Sequence, residues 1–562
     1  MKIQCIDRDI RQVLSSGVFV IPRFQRPFSW DKENVEELWR DATSEIKKDY
    51  FIGSFVTYEM GDVRYGVVDG QQRLTSITIA LCVIRDKYKE LGYEALALGI
   101  HKLIETTGLD NKDQYIIKTE SSYPYLQLKI QSYEKDNEKL KLGDEEHALA
   151  AAHSVLKAKI ENGIQNIYST ITDPKQHAKE VKKWLGQIRD KFLGLKVVSI
   201  NLATQDDAYT IFETMNTRGK DLTPADLIKN HVLRLMPAKG GGIDRTKDHW
   251  LEMQAALETA SRKIPISTFL HHFWISKFPF VIERQLFKAY REHVDKQNIK
   301  DFFEELRSDS ILYRAIDNPD IIKSWNANTV DIKDSIYCIS NVLNIQIANP
   351  LLLTALRQYV RGILKDGKAK ELFSLVENYH YIYTTICGLP SSGGVTQMYA
   401  VHARELAAAT TAAECSKAIQ EFKIKIKSKI PTEATFVSKF QELSYSEHRR
   451  KEVLKYTLWK LYKANNGAVG INRDDCTFEH ISPQSVGVKN VHSIGNLILI
   501  PAKFNGSILG NKDFLDKKLL LTTNGYSLGS TLSAAIKWDD TEISTRTDEL
   551  ARDAYRNVWA VK

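Results

Sequence analysis

Toward its C-terminal end the chain reads TFEHISPQS and, further on, SIGNLILIPAKFNGSILGNKDFLDKK. These segments hold residue types that phosphodiester chemistry uses. A neutral imidazole at His480 can take a proton from water, and an amide such as Asn496 can orient that imidazole. Oxygen ligands suit a hard divalent cation on the scissile phosphate, with magnesium or manganese ahead of zinc. The first segment reads as a strand ending in Glu479-His480 and stopped by Pro483. NLILI reads as a second strand, broken at Pro501 and leading into a short helix that carries Asn505. A hairpin followed by a helix can bring His480, Asn496 and Asn505 to one point. The alternative is a histidine satisfying a buried hydrogen bond, with asparagines that only cap turns. The ordered set of Glu-His-Ile-x-Pro, Asn-Leu and a later polar residue favours a nuclease site.

A second constellation, VVDGQQRLTS, spans residues 67–76. An apolar strand (65–68) and a largely buried helix (74–84) are joined here by Asp69, Gly70, Gln71, Gln72 and Arg73. Asp69 with Gln72 three places later approaches a capping box. A cap requires neither the extra amide of Gln71 nor the guanidinium of Arg73. Backbone N–H groups and one arginine aimed at a single point would form an anion site suited to phosphate. A well-capped core helix with solvated polar residues is the competing reading.

The elements around these motifs are legible in outline. In VFVIPRFQRPFSW, a strand at Val18–Ile21 precedes a helix that starts at Ser29 or Asp31 and places Val35, Leu38, Trp39 and Ala42 on one face. YFIGSFVTYEM and RYGVVDG suggest a hairpin turning at Gly61-Asp62, and LGLKVVSINL suggests another strand. In KDLTPADLIKN, Thr223 caps, Pro224 takes the first helical position and Asp226 completes a box. AKGGGIDRTK marks a linker, and helical patterns follow to about residue 441. KIKIKSKI, with alternating lysines, reads as a solvated face rather than a DNA-facing row.

With 562 residues the chain exceeds one core. Its 78 basic and 70 acidic residues leave a net charge of +8, which permits a nucleic-acid partner without requiring one. The six cysteines form no CxxC pair, which argues against a zinc knuckle or a disulfide framework. The first residues carry charges where a signal peptide needs an apolar run, and no stretch approaches the length of a membrane span. A cytoplasmic protein without a membrane partner is expected, and homo-oligomers remain open.

The C-terminal spacing resembles the HNH (ββα-metal) nucleases, in the subgroup that writes its motifs as EHIxPQ and GNLxL. The resemblance implies that His480 is the general base, that Asn496 holds the hairpin and imidazole, and that Glu479 and Asn505 are the metal-side residues. Asn505 stands where many HNH enzymes carry histidine. IPRFQRPFSW, VVDGQQRLTS and FETMNTRGKDLTPADLIKN resemble, in order, the signature segments of the nucleotide-hydrolysing module of GmrSD-type modification-dependent restriction enzymes, whose fold is similar to ParB and sulfiredoxin. This implies that Asp69, Gly70, Gln71, Gln72 and Arg73 form a hydrolytic nucleotide-phosphate site, for GTP, ATP or both. Phe24, Gln25, Arg26 and Phe28 supply aromatic faces, an amide and a guanidinium able to line a pocket that reads a modified base or backbone. The competing reading makes Phe24, Phe28 and Trp30 core residues, and it is favoured for Trp30. Asn216, Arg218 and Lys220 sit in a polar loop suited to a second phosphate contact, with Lys229 and Asn230 facing the same site from the next helix.

The expectation is an α+β protein in three parts: a ParB/sulfiredoxin-like NTPase and modification sensor over 1–235, a helical middle over 236–441, and an HNH endonuclease over 442–562. Its substrate would be double-stranded DNA of phage, modified or lacking a modification. One alternative is a non-cleaving, NTP-dependent DNA-binding regulator with a degenerate HNH module. Another is a toxin-like protein that depletes nucleotides.

Overall fold

In this computed structural model the described residues are 3–22, 25, 27–43, 50–108, 111–119, 125–134, 143–204, 223–236, 245–258, 262–390, 393–446, 450–465 and 471–562. The architecture is mixed α/β and mostly helical, with small sheets. The chain divides into two units, Met1–Trp250 with Tyr290–Ile299, and Leu251–Ala289 with Lys300–Lys562. The expected helical middle and the C-terminal segment thus fall largely within the second unit.

The first unit is built on strands β1 (Ile3–Asp9), β2 (Val18–Ile21), β3 (Phe51–Gly61), β4 (Arg64–Asp69), β7 (Ile117–Thr119) and β8 (Lys196–Leu202). They form one mixed sheet in the order β1-β8-β3-β4-β2-β7, while β5 (Glu105–Thr107) and β6 (Asp113–Tyr115) pair separately. The expected β3–β4 hairpin is present, and its turn holds Asp62 and Val63 at positive φ. Helices α1 (Ile10–Leu14), α2 (Lys32–Thr43), α3 (Gln71–Glu90), α4 (Glu94–His101), α5 (Asp144–Thr170), α6 (Pro174–Leu193) and α7 (Pro224–Leu235) complete the part that concerns the site. Asp31 accepts from the Asn34 amide at the start of α2. Thr223 and Asp226 form the expected reciprocal box on α7, with Pro224 in the first turn.

Apolar residues run almost all round α3, from Leu74 to Ile84, because α4, α5 and α6 pack against it and bury it on several sides. One charged side chain lies wholly inside this core. Arg85 is satisfied by the carbonyls of Ile130, Gln131 and Ser132 and by Asp86.

In the second unit, the sequence NPLLLTALRQYV forms the helix Asn349–Val360, and ELFSLVENYH lies in Asp366–His380. KIKIK ends the helix Ala412–Lys427, where Lys423 pairs with Glu371 at 3.2 Å while Ile426 is buried. His272, half-buried, and His380, buried, are both held neutral here. His272 meets the Tyr313 hydroxyl at 2.7 Å, and His380 lies between Thr384 and Tyr399; burial pushes each imidazole down to about 3. An unfolded imidazole takes up its proton below about 6.5, whereas these two resist protonation until about pH 3. Their contribution is therefore complete above about pH 6.5 and is lost as pH falls through that window. The urea midpoint of this unit is expected to drop between pH 7 and 5, and His380→Asn should flatten the slope. A midpoint independent of pH over that range would refute this reading.

No described helix is long and apolar enough to cross a membrane.

Candidate nuclease hairpin and phosphate turn

The C-terminal motifs form the expected antiparallel hairpin. Strands β9 (Cys476–His480) and β10 (Leu497–Pro501) pair with His480 opposite Leu497 and Glu479 opposite Ile498. The helix Asp540–Asp553 packs on its neck at Gly495, where a Cβ would lie 2.3 Å from the Ile543 carbonyl oxygen. Glycine is required there because backbone meets backbone. Arg546 from that helix donates to the carbonyls of Gly495 (2.6 Å) and Leu497 (2.9 Å).

Asn496 is completely buried and uses both ends of its amide. Its Oδ1 accepts from the Ser482 amide at 2.8 Å and the Trp538 indole at 3.0 Å. Its Nδ2 donates to the carbonyls of Ser482 (3.0 Å) and Val491 (2.8 Å). The residue therefore ties the connection between β9 and β10 to itself. It acts on the imidazole through the backbone, since its four partners belong to other groups.

His480 lies at the end of β9, nine-tenths buried. Its Nε2 lies 3.4 Å from Nδ1 of His492. The Gln484 amide nitrogen is 3.3 and 3.4 Å from the two ring nitrogens, so it is committed to neither. Tyr445 packs edge-on against the ring, with centroids 5.1 Å apart. Burial, with the neighbouring His492 and Lys517, holds the imidazole down at about 4, so it is neutral at physiological pH.

Glu479 and Asn505 do not take the metal-side places that the motif spacing implies. Instead, the Glu479 carboxylate is ion-paired with Lys517, a buried lysine of the helix Phe514–Thr523 that also donates to the His480 carbonyl at 2.7 Å. Burial raises the Glu479 carboxyl above its usual range, and Lys517 opposes that rise. The Asn505 Nδ2 donates to Thr477 Oγ1 and the Phe478 carbonyl, both at 3.2 Å. The described residues contain no group of three His, Cys, Asp or Glu side chains able to hold a metal ion. As arranged, this donor set does not fit a divalent cation, because an ammonium already meets the carboxylate and Asn505 turns its amide N–H toward the strand.

The N-terminal turn departs from its expected cap. Gly70, not Asp69, is the N-cap of α3, with φ +91° and no side-chain cap. Gln72 is drawn away from a capping box because its amide holds the preceding loop: Oε1 accepts from the Ser29 amide (2.9 Å) and Nε2 donates to the Pro27 carbonyl (3.2 Å). Gln25 donates to the Val68 carbonyl at 2.9 Å, so the FQRPF segment and the DGQQR turn are mutually strapped. Gln71 is buried. Arg73 is not aimed at an open anion site; it binds the carbonyls of Ile52 and Ser54, with Asp69 Oδ2 3.5 Å away. Burial lowers its pKa, partly offset by Asp69. Asp69 is the more accessible of the pair.

Phe28 is a core residue, with its backbone amide on Glu145, so its ring offers no face to a flipped base in this structure. Phe24, Arg26, Asn216, Arg218 and Lys220 lie outside the described residues. Lys229 and Asn230 are buried on α7, where burial and the Lys247 ammonium hold Lys229 below the usual lysine range.

Gly70→Ala is expected to cost the first unit about 1–3 kcal/mol, because a Cβ there meets both an unfavourable φ and the Phe55 ring. That Cβ would lie 2.3 Å from the ring edge. Thermal unfolding checks this, and a melting point equal to wild type would show that the turn relaxes freely.

Sequence reasoning does not single out Lys517, His492, Trp538 or Arg546. His492 has a weak signal, standing in the same VHSIGNL run as Asn496. Lys517 has none, being one of two adjacent lysines in a short run, DFLDKKLLL.

The hairpin and the N-terminal turn lie in the two stretches of the chain that match known family models. Residues 8–233 match the model of the GmrSD restriction endonuclease N-terminal domain, and residues 430–553 match that of the GmrSD restriction endonucleases C-terminal domain. The chain belongs to the GmrSD restriction endonuclease family, and DNA is its partner. No curated protein matches it.

Proposed function

We propose that the protein is an NTP-hydrolysing, modification-sensing DNA endonuclease of bacterial anti-phage defence, in which the His480 hairpin cuts and the DGQQR turn binds the nucleotide. The observation that carries the cleavage half is the neutral His480 imidazole at the mouth of a hairpin pinned by Asn496. His480 removes a proton from a water; the water oxygen forms a bond to phosphorus as the bond to the leaving sugar oxygen breaks, and that oxygen takes a proton from solvent. Family membership and the uncapped start of a twenty-residue helix support phosphate binding at the turn. Gln25, Arg26, Phe24 and Phe28 stay the proposed modification sensor, which requires Phe28 to leave the core. Divalent-cation dependence is proposed only with a rearrangement that frees Glu479 from Lys517.

The test uses supercoiled plasmid, plain and modified, with magnesium or manganese and with or without GTP and ATP. Cleavage that depends on nucleotide and on modification supports the reading. Cleavage indifferent to both refutes the sensing and nucleotide parts.

One observation favours a second reading, a non-cleaving DNA-binding regulator. The carboxylate expected on the metal side is neutralised by a buried lysine. Protection of cells by a His480→Ala variant would establish that alternative.

A further inference from the structure

Among the described residues, His492 is the one group that reaches His480 from outside the hairpin's own strands with a ring nitrogen, and its backbone and ring are both held. Its carbonyl accepts from the Tyr445 amide at 2.9 Å. The next residue, Ser493, bridges Ser444, and the Ile494 amide donates to the Leu443 carbonyl. The Tyr445 ring stacks on the His492 ring at 6.0 Å between centroids and 29° between planes, while standing edge-on to His480. Backbone pairing and one shared aromatic therefore fix both imidazoles relative to each other, at 78° between their planes.

A hydrogen bond between two imidazole nitrogens needs one donor and one acceptor. The His480 nitrogen facing His492 is Nε2. Among the described residues the other, Nδ1, meets only the Gln484 amide, which lies almost equally close to both nitrogens. If His480 is to accept a proton from water, the nitrogen without a fixed partner must carry the lone pair. That nitrogen is Nδ1, so Nε2 carries the hydrogen and His492 accepts it.

We infer that His492 is a positioning residue for DNA cleavage: its Nδ1 accepts the Nε2–H of His480, fixing the tautomer and ring orientation that leave His480 Nδ1 as the base. This rests on the reading of His480 as the base. The chemistry is that of an acceptor orienting a catalytic imidazole, with a second imidazole nitrogen in place of the more familiar carboxylate.

The experiment compares full-length wild type with His492→Ala, His492→Phe and His492→Asn. Single-turnover cleavage of supercoiled plasmid is measured under conditions where wild type cuts, with DNA affinity and melting temperature in parallel. Asparagine places its Oδ1 close to where histidine places Nδ1, so it keeps the acceptor; phenylalanine keeps the ring and its stack on Tyr445 but not the acceptor. His492→Ala and His492→Phe are expected to cut about 10- to 100-fold more slowly, with unchanged DNA affinity. His492→Asn should recover most of the rate. Phenylalanine cutting as fast as asparagine, or all three matching wild type, overturns the inference. A loss of rate that follows melting temperature across the three also overturns it, in favour of a packing role. His480→Ala is included as a control: if it cuts normally, the base assignment itself has failed, a result distinct from any pattern at position 492.

Discussion

Replacing His480 with alanine is expected to slow DNA cleavage by about 10²–10⁴-fold, the usual worth of a positioned general base. The size follows from what the site contains. His480 is the hairpin side chain whose nitrogen can accept a proton at neutral pH, because burial beside His492 and Lys517 holds it neutral. The nearby Lys517 is already a cation paired with Glu479, and the Gln484 amide is not a base. The substitution should leave the fold intact, since the fixed contacts of the hairpin run through Asn496, Arg546 and the His480 carbonyl rather than through the imidazole. Nicking of supercoiled plasmid, with DNA binding and melting measured alongside, checks the result. A variant that cuts within a few-fold of wild type would remove His480 from the reaction.

What can be seen in the sequence is set by the range of the interaction that decides each feature. The Thr223-Pro224-Asp226 start of α7 depends on four neighbouring residues and is legible as written. The β3–β4 and β9–β10 pairings are short-range and follow from alternation and turn residues. The start of α3 reads wrongly for a tertiary reason. Asp69 with Gln72 has the local spacing of a cap, yet the Gln72 amide finds better partners in the backbone of Pro27 and Ser29. Arg73 reads as free to face an anion because nothing in the motif announces Ile52 and Ser54, whose carbonyls bind it. Glu479 illustrates the same limit at the nuclease hairpin. Its acidity suggests a metal ligand, and only the folding of the helix Phe514–Thr523 against it reveals that Lys517 occupies that side. Local rules place backbone; they do not report which distant side chain arrives to satisfy a charge.

The same distinction separates Asn496 from His480 and leads to the second large effect. Asn496→Ala would strand the Ser482 amide, the Ser482 and Val491 carbonyls and the Trp538 indole in a position closed to water. Each buried unpaired group costs about 1–3 kcal/mol. The four are not additive, so a loss of about 3–5 kcal/mol for the second unit is expected. Asn496→Asp keeps the shape and is the sharper variant. Its carboxylate can still accept from Ser482 and Trp538, but it turns an acceptor toward the two carbonyls that now receive Nδ2 hydrogens, and it buries a charge. It should therefore destabilise at least as much as alanine despite being isosteric. Cleavage should fall with both variants, because the displaced neck carries His480 with it, and the fall should track the melting temperature. His480→Ala is expected to lose cleavage without that shift. An Asn496→Asp protein that melts like wild type would show that the amide is not holding the hairpin closed; one that melts like wild type and yet fails to cut would move Asn496 from the scaffold into the chemistry.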